Sequence, residues 1–98
     1  MYNYDLSELS KQDLLRIYEY GINQFGVDQA DKYFELMHDC FCKIAKNPYM
    51  FPIVPTIKSN YHKCVCGVEA IYFKVETDGV LIVTIIGSQD IEMQHLVH

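Results

Sequence analysis

Apolar residues recur along this chain with two different periods. Across residues 71–77 and 80–86 the period is two, and the intervening Asp78-Gly79 is a hairpin signal. A two-residue Asp-Gly loop predicts that Thr77 faces Val80, Val75 faces Ile82 and Phe73 faces Thr84. Alternation then puts Ile71, Phe73, Val75, Val80, Ile82, Thr84 and Ile86 on a core face. The opposite face carries Tyr72, Lys74, Glu76, Leu81, Val83 and Ile85. Aliphatic and charged side chains mixed in this way mark a surface that a partner covers.

Upstream the period lengthens to three and four. Residues 2–6 alternate like a short strand that stops at Ser7, and Ser10 with Asp13 reads as the start of a helix. Its stripe, Leu14, Ile17/Tyr18, Gly21/Ile22 and Phe25, ends at Gly26. Asp28 reads as the N-cap of a second helix with the stripe Ala30, Tyr33/Phe34, Met37, Cys40/Phe41 and Ile44, which stops before Pro48. The two form an antiparallel α-hairpin. A glycine inside a helix costs ~1 kcal/mol, so Gly21 is read as a point of close approach to the second helix or the sheet. All three prolines fall between Pro48 and Pro55, in a segment whose Tyr49, Met50, Phe51, Ile53 and Val54 make it an ordered loop packed over the core edge. A further strand spans residues 61–66 and turns at Gly67. The predicted fold is α+β with the order β-α-α-β-β-β, an antiparallel sheet with the α-hairpin packed on one face, in a single domain over residues 1–98.

Half of the 98 residues are apolar, enough for one core. No apolar run is long enough to span a bilayer and no signal peptide opens the chain, so no membrane contact and a cytoplasmic location are expected. A net charge of −5, with Arg16 the only arginine, argues against direct nucleic-acid binding, which needs a basic footprint on phosphates. The pairs Cys40/Cys42 and Cys64/Cys66, each with a histidine two residues upstream (His38, His62), look like metal spacing. On a helix, however, positions i and i+2 diverge by roughly 200°, so Cys40 and Cys42 cannot share one ion. Four reduced cysteines serving as small apolar residues are expected, with no disulfide, no metal and no cofactor. Neither Gly67 nor Gly79 belongs to a phosphate-cradling loop.

The element order, together with Asp13-Leu14-x-x-Ile17-Tyr18-x-Tyr20, Phe25-Gly26-x-x-Gln29-Ala30-x-x-Tyr33, Ile44-Ala45-x-Asn47-Pro48, Tyr61-x-x-Cys64-x-x-Gly67, Ile71-Tyr72-Phe73-Lys74-Val75 and Gly87-Ser88-Gln89-Asp90, resembles the ParE-type toxins of the RelE/ParE superfamily over nearly the whole chain. The resemblance implies the toxin half of a type II toxin–antitoxin module. ParE members inhibit DNA gyrase, RelE relatives cleave messenger RNA on the ribosome, and an antitoxin neutralises the toxin by wrapping a tail around it. The implied partners are a cognate antitoxin and DNA gyrase. The implied antitoxin contacts are Tyr72, Lys74, Leu81, Val83 and Ile85; the implied target contacts are Tyr61, His62, Lys63, Ser88, Gln89 and Asp90. Many relatives carry an arginine near His62 and a basic residue near Ser88, and this chain has neither.

The nuclease alternative requires a base, an acid and a cationic clamp. The available parts are His62, Lys63, Lys58, Tyr61, His95 and His98, and they form no recognisable set, which favours a protein-binding toxin without catalytic residues. A nontoxic interaction module with the same fold remains the third alternative.

Overall fold

The computed structural model describes residues 3–54 and 60–87. The elements are β1 (Asn3–Leu6), α1 (Glu8–Phe25), α2 (Val27–Lys46), a 3-10 turn (Pro48–Met50), β2 (Tyr61–Cys66), β3 (Glu69–Glu76) and β4 (Gly79–Gly87), in the expected β-α-α-β-β-β order. The sheet runs β1-β4-β3-β2. Strands β2, β3 and β4 are antiparallel, and β1 joins the edge parallel to β4, with Asn3 opposite Gly79 and Leu6 opposite Ile82.

Ser7 rather than Ser10 starts α1. Its hydroxyl oxygen accepts the Ser10 N–H at 3.0 Å, the usual N-cap bond. Its own N–H donates to Ile82 O at 3.0 Å, so one residue ends the β1 ladder and opens the helix. Ser10 lies inside the helix, buried, with its hydroxyl on Ser7 O. Gly26, at φ +88°, closes α1, and α2 begins directly at Val27 without a side-chain cap, so Asp28 sits in the first turn. A Cβ on Gly21 would stand 3.3 Å from that of Ala30, which places the expected close approach between the two helices.

Leu14, Met37, Phe41 and Ile44 from the helices meet Ile71, Phe73, Val80, Ile82 and Ile85 from the sheet in one core. Full burial of each such side chain stabilises the fold by roughly 1.5–3 kcal/mol. Pro48 is buried and Phe51 meets Phe73 edge-to-face at 5.9 Å, whereas Tyr49, Met50 and Ile53 are exposed. Residues 52–54 run along the outer edge of β2: Val54 N–H donates to Tyr61 O, and Lys63 N–H to Pro52 O.

The hairpin departs from expectation twice. Its turn is centred on Thr77-Asp78, so Glu76 faces Gly79, Val75 faces Val80 and Phe73 faces Ile82, a two-residue shift that preserves the faces. In this register Gly79 lies against β1, where a Cβ on residue 79 would run into Asn3 O, so glycine alone fits at that close approach. Then the register slips. Phe73 faces Ile82 but Tyr72 faces Thr84, leaving Val83 as an extra residue in β4. The bulge inverts the alternation that follows. Ile85, expected on the partner-facing side, is fully buried (0 % exposed), and Ile86 is the half-exposed residue.

The bulge lies where β1 has ended and the free edge of β4 needs other partners. Ser7 Oγ donates to Val83 O at 2.6 Å. The Asp13 carboxylate accepts the Ile85 N–H at 3.0 Å and the Thr84 hydroxyl at 2.7 Å, and Arg16 donates to its other oxygen at 2.9 Å. Two α1 side chains thus stand in for the missing continuation of β1.

The cysteines also differ from expectation. Cys40 of α2 and Cys66 of β2 form a disulfide, with Cα atoms 6.4 Å apart, while Cys42 is exposed and Cys64 buried as free thiols. The two partners face each other across the helix–sheet layer, a contact that spacing along the chain does not reveal.

Candidate functional site: the outer face of the sheet

The helices cover one face of the sheet, and the pairing register lays out the other in rows. Tyr61 faces Lys74, Lys74 faces Leu81, and Leu81 faces Asp5, giving one row across all four strands. Lys63 faces Tyr72, beside the Val83 bulge, and Val65, Ala70 and Ile86 make a third row. Tyr61, Lys63, Tyr72, Lys74, Leu81, Val83 and Ile86 are half-buried, and Val65 is 69 % exposed. Neighbouring strands lie ~4.8 Å apart, so residues along a row are direct cross-strand neighbours. At one end of the first row an open depression of about 680 Å³ is lined by Tyr49, Asn60, Tyr61, Lys74 and Glu76 among others. The face offers aromatic rings, aliphatic surface, two ammonium groups (Lys63, Lys74) and two carboxylates (Asp5, Glu76), the chemistry of protein recognition.

Tyr72, Lys74, Leu81 and Val83 lie together on this face, and Ile85 does not, because the bulge turns it inward. Tyr61 and Lys63 lie on the same face. His62 points the other way: it is 6 % exposed, stacks on Phe73 at 5.2 Å with planes 14° apart, and places Nδ1 2.8 Å from Phe51 O, to which the ring donates. His62, an implied target contact, lies on the core side of the sheet because position 62 alternates inward between Tyr61 and Lys63. The same alternation separates His62 from Tyr61 and Lys63 as an acid–base set. Lys58, Ser88, Gln89, Asp90, His95 and His98 lie outside the described residues. Sequence reasoning missed Asp5 and Ile86 as members of this face. The alternation of residues 2–6 shows that Asp5 faces away from the core, but its neighbour Leu81 depends on a pairing with the far end of the chain.

A second polar pair lies behind the sheet. The Tyr33 hydroxyl donates to Glu69 Oε1 at 3.4 Å, and the Glu69 carboxylate is buried against Gly87. Burial, and after it the charge of Glu69, pushes the Tyr33 phenol up to about 12. An unfolded tyrosine titrates at about 10, so the unfolded chain releases this proton first as pH rises. Stability from this group is complete below pH ~10 and is lost between ~10 and ~12. Urea midpoints measured against pH should show a smaller alkaline fall for Tyr33→Phe than for the parent; parallel curves would mean that the phenol titrates normally.

Among the described residues no group of three or more His, Cys, Asp or Glu side chains is placed to hold a metal ion, and no helix is long and apolar enough to cross a membrane.

Residues 4–92 match the family model described as the ParE toxin of the type II toxin–antitoxin system, parDE. The chain belongs to the ParE toxin family. It is 29 % identical over 72 residues to Toxin ParE1 of Caulobacter vibrioides, covering 74 % of this chain and 75 % of that protein. It is 26 % identical over 78 residues to Toxin ParE1 of Mycobacterium tuberculosis, covering 80 % of each. Its fold is similar to a chain of a chromosomal ParDE system from P. aeruginosa, with a TM-score of 0.77 at 15 % identity, covering 89 % of this chain and 96 % of that one. At that identity the likeness concerns the ParE fold alone.

Proposed function

We propose that this ParE-family chain acts in the cytoplasm as a toxin that binds and inhibits DNA gyrase without catalysis of its own, and that a cognate antitoxin neutralises it by covering the outer sheet face. One observation carries the reading: Tyr61 and Lys63, assigned to the target, share a single surface with Tyr72, Lys74, Leu81 and Val83, assigned to the antitoxin. With Ile86 in the place of Ile85, that surface serves both partners in turn. Antitoxin binding then removes the target contacts by occupying them, and no conformational change is required. The inward position of His62 supports a non-enzymatic toxin, since a strand that alternates its polar residues to opposite faces does not assemble an acid and a base.

Purified protein should block gyrase supercoiling, and the antitoxin encoded beside it should restore the reaction. Lys74→Glu reverses the charge at the centre of the longest row and should weaken inhibition by about tenfold, or ~1.4 kcal/mol. Codon-positioned cuts in translated RNA, lost in Lys63→Ala, would replace gyrase with ribosome-bound message as the target. Inactivity in both assays would favour the nontoxic interaction module.

A further inference from the structure

The Cys40–Cys66 disulfide fastens α2 to the last residue of β2, directly before the turn at Gly67 and Val68. β2 is an edge strand whose two halves are held differently. Near its start, residues 52–54 bond to Tyr61 and Lys63 from outside. Those bonds stop before Val65, and Val65 and Val68 are 69 % and 66 % exposed. Besides its pairing with β3 and its packing against the core, the end of β2 is held by one covalent link to the helix layer.

We infer that Cys40 and Cys66 form a reversible thiol–disulfide switch that sets how readily the β2–β3 corner opens. A low-molecular-weight disulfide of the glutathione class closes it. One cysteine thiolate attacks the oxidant and displaces the first small thiol; the second cysteine attacks the resulting mixed disulfide and displaces the other. Two electrons pass from the protein to the oxidant, and the two cysteine protons end on the released small thiols. Reduction runs the same steps in reverse. The other two cysteines are free thiols, not joined to this pair. Cys42 is exposed and lies about 200° around the helix from Cys40. Cys64 is buried, and that burial pushes its thiol up. Cys40 and Cys66 are themselves buried, so a reductant reaches the bond only when the corner has opened. The switch concerns the mobility of one corner and is independent of which target or antitoxin the outer face binds.

The test uses the full chain in glutathione buffers of graded ratio, quenched, denatured and alkylated for mass spectrometry. The expected result, read on the peptides that carry Cys40 and Cys66, is a single two-electron transition between both alkylated and both linked to each other. Amide hydrogen exchange in the two states should show Cys64 and Cys66 exchanging at least about tenfold faster when reduced, with Ile82 in β4 changing less. A Cys40→Ala, Cys66→Ala variant should match the reduced pattern in every buffer, and the glutathione titration of the parent stands whether or not that variant folds. Cys40 and Cys66 alkylated at every ratio, or linked at every ratio, or equal acceleration of β2 and β4 amides, would overturn the inference.

Discussion

Asp13→Ala should lower the unfolding free energy by about 3 kcal/mol. The carboxylate accepts the Ile85 N–H and the Thr84 hydroxyl at the one stretch of β4 that β1 does not reach. Removing it leaves a buried backbone donor without a partner, worth about 1–3 kcal/mol by itself, and deletes a second, charge-assisted bond. Arg16 is the smaller contributor. Its side chain is 47 % exposed, and such pairs contribute about 0–1 kcal/mol, so losing this pair in Arg16→Ala should cost clearly less than Asp13→Ala. Asp13→Asn should fall between the two, because its amide oxygen can still accept one bond. Urea unfolding of the three variants decides it, and an Asp13→Ala loss no greater than that of Arg16→Ala would refute this account of the bulge.

The second large effect is His62→Arg, a substitution toward the residue type that many similar toxins carry near this position. Against the structure it should destabilise by at least about 3 kcal/mol, since a guanidinium would have to sit where the buried imidazole now stacks on Phe73. For a domain of this size that is a fall in melting temperature of at least ~12 °C. Lys63→Arg, one position along on the outer face, should change stability by less than ~0.5 kcal/mol. A His62→Arg protein that melts with the parent would show that the side chain escapes to the surface.

The elements that could be read from sequence were those fixed by neighbours along the chain. Both helical stripes, the stop at Gly26, the exit before Pro48 and the turn at Gly67 are local matters, and they lie where periodicity and turn chemistry put them, except that Phe25 and Phe34, at the ends and edges of the stripes, are exposed. The hairpin register was not local. Asp78-Gly79 has the composition of a two-residue turn, yet Gly79 is required by the backbone of Asn3, which nothing in the hairpin's own sequence announces. The bulge was hidden for the same reason. Asp13 reads as an ordinary acid in a first turn, and only the folded chain shows it bonding to Thr84 and Ile85. Half of the candidate face, Tyr72, Lys74, Leu81 and Val83, followed from alternation, while Ile85 and Ile86 exchanged places through that one unseen residue.

The parallel pairing of β1 with β4 also governs when the molecule can exist at all. Contacts between Asn3 and Gly79, or Leu6 and Ile82, close almost the whole length of the chain, and the entropy of that closure is spent before any pairing repays it. On the ribosome, β1 and both helices emerge several seconds ahead of β4 at synthesis rates of ~5–20 residues per second. During that interval the helices lack Val80, Ile82 and Ile85 to pack against, and the row from Asp5 to Tyr61 has no centre. Whatever the outer face binds, it meets only chains whose translation has passed β4.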